Sequence, residues 1–355
     1  MNEIIDLRSD TVTLPTEEMK KAIANAKLGD DVFQEDPTVN ELEKKSAEIM
    51  GKDAGLLVPS GTMGNLVSIL THCHRGTEIL IGDKSHTFYY EAGGISAFGG
   101  IHSRQLKNQQ DGTIELNDIQ SAIRADNVHF PKTSALALEN THNLCNGSPL
   151  SPEYIHEVAK ITKNNDMKLH IDGARIFNAA AAEDVNVKDL VLDADSITFC
   201  LSKGLSAPVG SVICGNEEFI YHARRNRKAL GGGMRQAGII AAAGIVSLEK
   251  MMGQIQEDHE NAQLLAAGIN NIDGLFIDKE SIKSNILYFD IEKDYDRSEK
   301  LSRQTVNKDQ YPFDIILDDV YFLETSPDRF RLVTHYGITM EHVKETLNIL
   351  QDMIN

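Results

Sequence analysis

Short β-rich runs alternate with longer helical patterns through most of this chain, and that alternation constrains its fold more than any other feature. Strands that feed helices and return as strands build a layered α/β structure around a mostly parallel sheet. Strands are predicted at 54–58, 78–82, 101–106, 134–138, 168–171, 196–201 and 210–214. A helix is expected from Thr62 to about His74. Another opens at Ser151-Pro152-Glu153, with Ser as the cap and Pro in the first helical position. From Arg235 to about Ile269 the helical pattern is nearly unbroken. The texture then changes to strand-like 285–291, a helical stretch near 297–307, strand-like 315–323 and 329–335, and an amphipathic helix over 341–354. The expected architecture is a large α/β domain over residues 1–250 and a smaller C-terminal α+β domain over 251–355, with the long helix at the join.

A chain of 355 residues is too long for one core, in keeping with two domains. Its net charge is −18, from 53 acidic against 35 basic side chains. A field of that sign repels phosphate backbones and anionic lipid, so neither nucleic acid nor membrane is expected as a partner. No apolar run approaches the roughly 20 residues that span a bilayer. The start of the chain, Met1-Asn2-Glu3-Ile4-Ile5-Asp6, lacks the basic and apolar regions of a secretory signal. Cys73, Cys145, Cys200 and Cys214 lie far apart and read as free thiols of a cytoplasmic protein. The sequon Asn146-Gly147-Ser148 is then a chance match.

Three motifs carry chemistry. In Pro59-Ser60-Gly61-Thr62-Met63-Gly64-Asn65 a β-run ends where a helix begins, and the free N–H groups of a helix start suit a phosphate. Alone this is an ordinary helix cap, and it matches neither the P-loop nor Gly-x-Gly-x-x-Gly. In His170-Ile171-Asp172-Gly173-Ala174-Arg175 an apolar strand ends in a carboxylate, where open α/β sheets bind ligands. Asp172 there suits a protonated pyridine nitrogen, and Arg175 a substrate carboxylate, although a plain Asp–Arg pair explains both. In Leu201-Ser202-Lys203-Gly204 a lysine lies just past a buried strand, where desolvation favours the neutral amine that a Schiff base requires. Each motif alone is commonplace. Phosphate cradle, aspartate and lysine in this order are what a pyridoxal 5'-phosphate site on a doubly wound sheet uses.

Around them stand His86, able to stack on a cofactor ring, and Gly231-Gly232-Gly233-Met234-Arg235, whose glycines permit close backbone approach. The triplet His72-Cys73-His74 points its side chains in different directions, and no metal site is expected.

Together these segments resemble the L-threonine aldolases of low specificity, which are fold-type I pyridoxal phosphate enzymes with an aspartate aminotransferase-like large domain. The resemblance is densest from Ile5 to about Leu248. It includes Asp6-Leu7-Arg8-Ser9-Asp10-Thr11-Val12-Thr13, Gly29-Asp30-Asp31-Val32, Glu35-Asp36-Pro37-Thr38, Glu139-Asn140-Thr141-His142-Asn143 and the run from Leu230 to Gly238. Arg331-Leu332-Val333-Thr334-His335 is similar to the family's closing motif. The resemblance implies a Schiff base between the cofactor and Lys203, with Asp172 on the pyridine nitrogen. It implies that His86 stacks on the ring and takes part in proton transfer. It places Ser60, Gly61 and Thr62 on the phosphate, with Arg235 arriving from a neighbouring subunit. Ser9, Arg175 and Arg331 hold the substrate carboxylate, and His129 lies near the substrate hydroxyl. It further implies a homotetramer, a dimer of dimers with sites at subunit interfaces. Phe33-Gln34 stands where the family often has Tyr-Gly, Ser206 where it often has Gly, and Tyr336-Gly337 departs from the common ending.

The expected reaction is reversible retro-aldol cleavage of L-threonine or L-allo-threonine to glycine and an aldehyde. The same lysine, aspartate and phosphate cradle also serve racemases, β-eliminating lyases and aminotransferases, which remain the alternatives.

Overall fold

The computed structural model describes residues 4–291, 314–317 and 319–354. The helical stretch expected near 297–307 lies outside them. The strands are β1 (Ile5–Asp6), β2 (Ala54–Val58), β3 (Glu78–Gly82), β4 (His102–Leu106), β5 (Thr133–Glu139), β6 (Lys168–Asp172), β7 (Ser196–Cys200), β8 (Ser211–Gly215), β9 (Leu275–Phe276), β10 (Ile286–Ile291), β11 (Asp314–Leu317), β12 (Val320–Ser326) and β13 (Arg329–Val333).

One unit comprises Leu14–Met252. Its seven strands run in the order β2-β8-β7-β6-β5-β3-β4. Strands β3 to β7 are mutually parallel, and β8 is antiparallel to both of its neighbours, β2 and β7. Every residue of β3, β7 and β8 is buried, as expected for strands covered on both faces, whereas the edge strand β4 carries the exposed His102 and Gln105. In register, Glu139 at the end of β5 faces Asp172 at the end of β6, and Asp172 faces Thr198 of β7. The three carboxyl ends thus lie side by side, which is where ligands of open α/β sheets bind. Helix Gly61–His72 stands against this sheet. It sits so close that a Cβ on Gly64 would collide with Thr198 Cγ2.

The second unit joins the chain up to Thr13 with the chain from Gly253 onward. The N-terminal segment was expected in the large domain, but β1 pairs in parallel with β12, Ile5 opposite Val320. Its sheet runs β1-β12-β13-β10-β9, with β11 on β12. Phe289, Phe322 and Phe330 fill its core, their ring centroids 5.1 to 6.1 Å apart.

The expected long helix is divided. Helix Gly238–Val246 passes into a π-turn at Ser247–Met251, and helix Gln254–Ile269 begins only after Gly253. Glycine disfavours helix continuation and the π-turn interrupts the regular ladder, so the chain passes from one unit to the other there. No single described helix is long and apolar enough to cross a membrane.

Candidate active site

Asp172 closes β6 as a buried carboxylate. Its Oδ2 accepts from Asn65 Nδ2 at 2.8 Å and its Oδ1 from the Ala174 amide at 3.2 Å. Asn65 lies on the buried face of helix Gly61–His72, and the same Nδ2 donates to Glu91 Oε1 at 2.9 Å. His86 opens the short helix His86–Tyr89. Its amide donates to Glu139 Oε2 at 2.7 Å, and its ring Nδ1 lies 2.9 Å from Glu91 Oε1. Ligand atoms of His86, Glu91 and Asp172 all fall within 4.8 Å of one another, compact enough for a small cation. An amide, however, already bridges the two carboxylates.

The electrostatics follow from this wiring. Burial opposes a charge on His86, but the Glu91 hydrogen bond and the nearby Asp172 outweigh it, so the imidazole is more basic than usual. Glu91 is pushed above the ordinary carboxylate value by burial and by Asp172, against the His86 hydrogen bond. Glu139 is also buried. His142 and the amides of Asn143 and His86 nevertheless hold it below the ordinary value.

Lys203 follows β7, half-buried, in a turn closed by Ser206 N–H to the Lys203 carbonyl at 2.8 Å. Ser206 sits there at φ 59°, left-handed, which explains the family's frequent Gly. Gln34 is likewise left-handed at φ 60°, beside an exposed Phe33, so the departure Phe33-Gln34 also falls where glycine is easiest. Arg175 is buried before helix Ile176–Glu183, with Nη1 3.4 Å from Asn143 Oδ1.

Ser60 caps helix Gly61–His72, its Oγ accepting from the Met63 amide at 3.2 Å. The N–H groups of Gly61 and Thr62 are among those a helix start cannot pair internally. A Cβ on Gly61 would lie 2.9 Å from Cys200 Sγ, so the chain passes tightly over the end of β7.

His129 and Arg235 are not gathered into this cluster. His129 is exposed, and its amide bonds to Asn127 Oδ1 at 2.9 Å. Arg235 is more than half exposed, with Nη1 3.2 Å from Asp30 Oδ2. Ser9 and Arg331 belong to the second unit. Ser9 caps the turn Asp10–Val12, and Arg331 is a buried residue of β13 opposite Tyr288 and Leu323.

Sequence reasoning passed over Asn65, Glu91, Glu139 and His170. The available signal was polarity in apolar company. His170 shares a strand face with Asp172, and Asn65 precedes Leu66-Val67 on a buried helix.

Residues 6–292 match the family model described as beta-eliminating lyase. The chain belongs to the beta-eliminating lyase family. Low-specificity L-threonine aldolase 1 of Arabidopsis thaliana is 45% identical to it, over 98% of this chain and 95% of its own. The low specificity L-threonine aldolase of Escherichia coli strain K12 is 47% identical over 74% of this chain and 78% of its own. Among solved structures, threonine aldolase of Leishmania major superposes with a TM-score of 0.81, at 17% identity, covering 99% of this lyase and all of that chain. The lyase therefore has the fold-type I architecture, and its sequence resemblance to the threonine aldolases of low specificity stands.

Proposed function

We propose that this lyase cleaves L-threonine and L-allo-threonine, and related β-hydroxy-α-amino acids, to glycine and an aldehyde, using pyridoxal phosphate. The observation that carries the reading is the alignment of strand ends. A carboxylate on β6, a lysine just past β7 and an open helix start converge on one mouth of a parallel sheet.

These residues fit that cofactor. Asp172 is anchored by two donors and would offer a carboxylate to a ring nitrogen; Gly61 and Thr62 would offer helix-start amides to a phosphate, with the Ser60 hydroxyl beside them. When bound, pyridoxal phosphate supplies the sink for the electrons of the breaking Cα–Cβ bond. Lys203 carries the cofactor covalently. His86 would lie over the ring, and either His86, whose basicity is raised, or His129 would take the β-hydroxyl proton, directly or through water. Arg175 would hold the substrate carboxylate, a role that the resemblance implies for Ser9 and Arg331 as well, and so fix which bond at Cα is broken.

The exposed Arg235 supports an assembly in which it reaches the phosphate of a neighbouring protomer, within a homotetramer built as a dimer of dimers. The four cysteines, all free and buried, support a reducing compartment, the cytoplasm.

The deciding experiment supplies each substrate separately to the cofactor-loaded protein and quantifies acetaldehyde and glycine. Equal amounts are expected from both. Bound cofactor without aldehyde would overturn the reading in favour of racemisation, elimination or transamination.

A further inference from the structure

Behind Asp172 runs a line of polar side chains that the proposed reaction does not use. His170 Nε2 lies 3.2 Å from Asn65 Oδ1, His170 Nδ1 2.8 Å from Ser196 Oγ, and His72 Nε2 2.7 Å from the same Ser196 Oγ. Asn65, His170 and Ser196 are buried. His72 is half-buried, its ring stacked on Phe219 with centroids 4.5 Å apart.

The direction of every bond in this line is fixed by its inner end. Asn65 faces two carboxylates through one nitrogen, at 2.8 and 2.9 Å, so its amide cannot be reversed without setting an oxygen against both. Its Oδ1 is then an acceptor only, and His170 must donate from Nε2. The other nitrogen of a neutral imidazole accepts, so Ser196 donates its hydroxyl proton to His170 Nδ1. Ser196 Oγ then accepts from His72 Nε2. Such a chain requires a neutral His170, and burial does hold it so, lowering it to about 3; His72 needs only a proton on Nε2, and burial lowers it to about 4. All the donors point one way, toward Asp172 and Glu91. Dipoles aligned in series strengthen one another and act on the carboxylate at the end.

We propose that Asn65, His170, Ser196 and His72 form a one-way hydrogen-bond chain that positions Asp172 and Glu91 and thereby sets how firmly the cofactor's ring nitrogen is held protonated. The inference rests on Asp172 being the partner of that nitrogen. The chain threads the fold economically: Asn65 and His72 lie on one helix, His170 on β6 and Ser196 on β7. The four are positioning residues, since none is the group that meets the cofactor.

The test uses the native holoenzyme first. Nitrogen-detected histidine spectra should show His170 and His72 neutral from pH 5 to 8, each with its proton on Nε2. A proton on Nδ1 of His170 would overturn the chain. The second measurement follows the ring-nitrogen resonance of labelled pyridoxal phosphate in variants, with cofactor affinity alongside. Asp172→Asn calibrates the loss of the partner. His170→Leu should move the resonance part of the way toward that value and raise the Kd for the cofactor about tenfold, and His170→Gln, which keeps a donor for Asn65, should largely restore both. Ser196→Ala, a milder change, should move the resonance in the same direction by less. If Asp172→Asn moves the resonance while the His170 and Ser196 variants do not, the chain is wrong and Asp172 keeps its role. An Asp172→Asn variant that leaves the resonance unmoved would remove the partner assignment, and the chain with it.

Discussion

In the larger unit Glu139 is buried, but His142 and the His86 and Asn143 amides hold its carboxyl below the ordinary value. In the second unit Asp258 is buried as completely, yet its carboxyl is pushed up to about 8, chiefly by burial and further by Asp10 nearby, with only the Gln254 side chain working the other way. Both regions bury acids, and the difference lies in the donors. Directed N–H groups offset the desolvation of an anion, whereas burial without enough of them leaves a neutral acid. A buried carboxylate held by donors is available to pair with a cation; a buried neutral acid serves packing.

Substitutions can break this contrast, beginning at the reacting end. Lys203→Ala should reduce acetaldehyde release by more than about 1000-fold, with the cofactor no longer retained through denaturation. Asp172→Ala removes the proposed partner of the ring nitrogen and should cost about 100-fold or more in the same assay; a loss under threefold would place the electron sink's support elsewhere. Glu91→Gln should cost about tenfold and bring His86 back toward its ordinary basicity, followed by histidine titration. The sign follows from linkage. A raised His86 stabilises the fold below its ordinary value and loses that contribution as pH rises through the raised one. Stability of the Glu91→Gln protein should therefore depend less on pH from about neutrality upward.

Asp258→Asn tests the other half of the contrast and should leave chemistry nearly untouched. Because its folded value lies above the ordinary 3.8, the native protein keeps Asp258's contribution in acid and loses it as pH rises toward about 8. The loss runs at about 1.4 kcal/mol per pH unit within that window. The Asn variant cannot ionise, so its Tm should exceed the native value at pH 7 and converge with it near pH 4. Parallel Tm curves would show that Asp258 has adequate donors.

The groups proposed to react were legible in the sequence because each ends an apolar run: Asp172 after Leu169-His170-Ile171, Lys203 after Phe199-Cys200-Leu201-Ser202. In the larger unit the strand boundaries fell within a residue or so for the same reason, whereas the expected strand 315–323 divides into β11 and β12, which pair antiparallel with each other. The support around them was not legible, because it is assembled across the fold. Asn65 meets Asp172 across 107 residues, and no local pattern marks such a pair. His129 and Arg235 were readable only through resemblance, and in a single protomer both remain exposed. Further expectations failed for physical reasons. Pairing of β1 with β12 draws the N-terminal segment out of the large unit, and a π-turn followed by Gly253 divides the long helix that periodicity alone carries through.

The central claim, that the cofactor is held on Lys203 at the end of β7, is tested most directly by reducing the holoenzyme with borohydride and mapping the peptides by mass. The account predicts a pyridoxyl group on Lys203 and on no other lysine. A label on another residue, or none on a protein that retains cofactor absorbance, would contradict it.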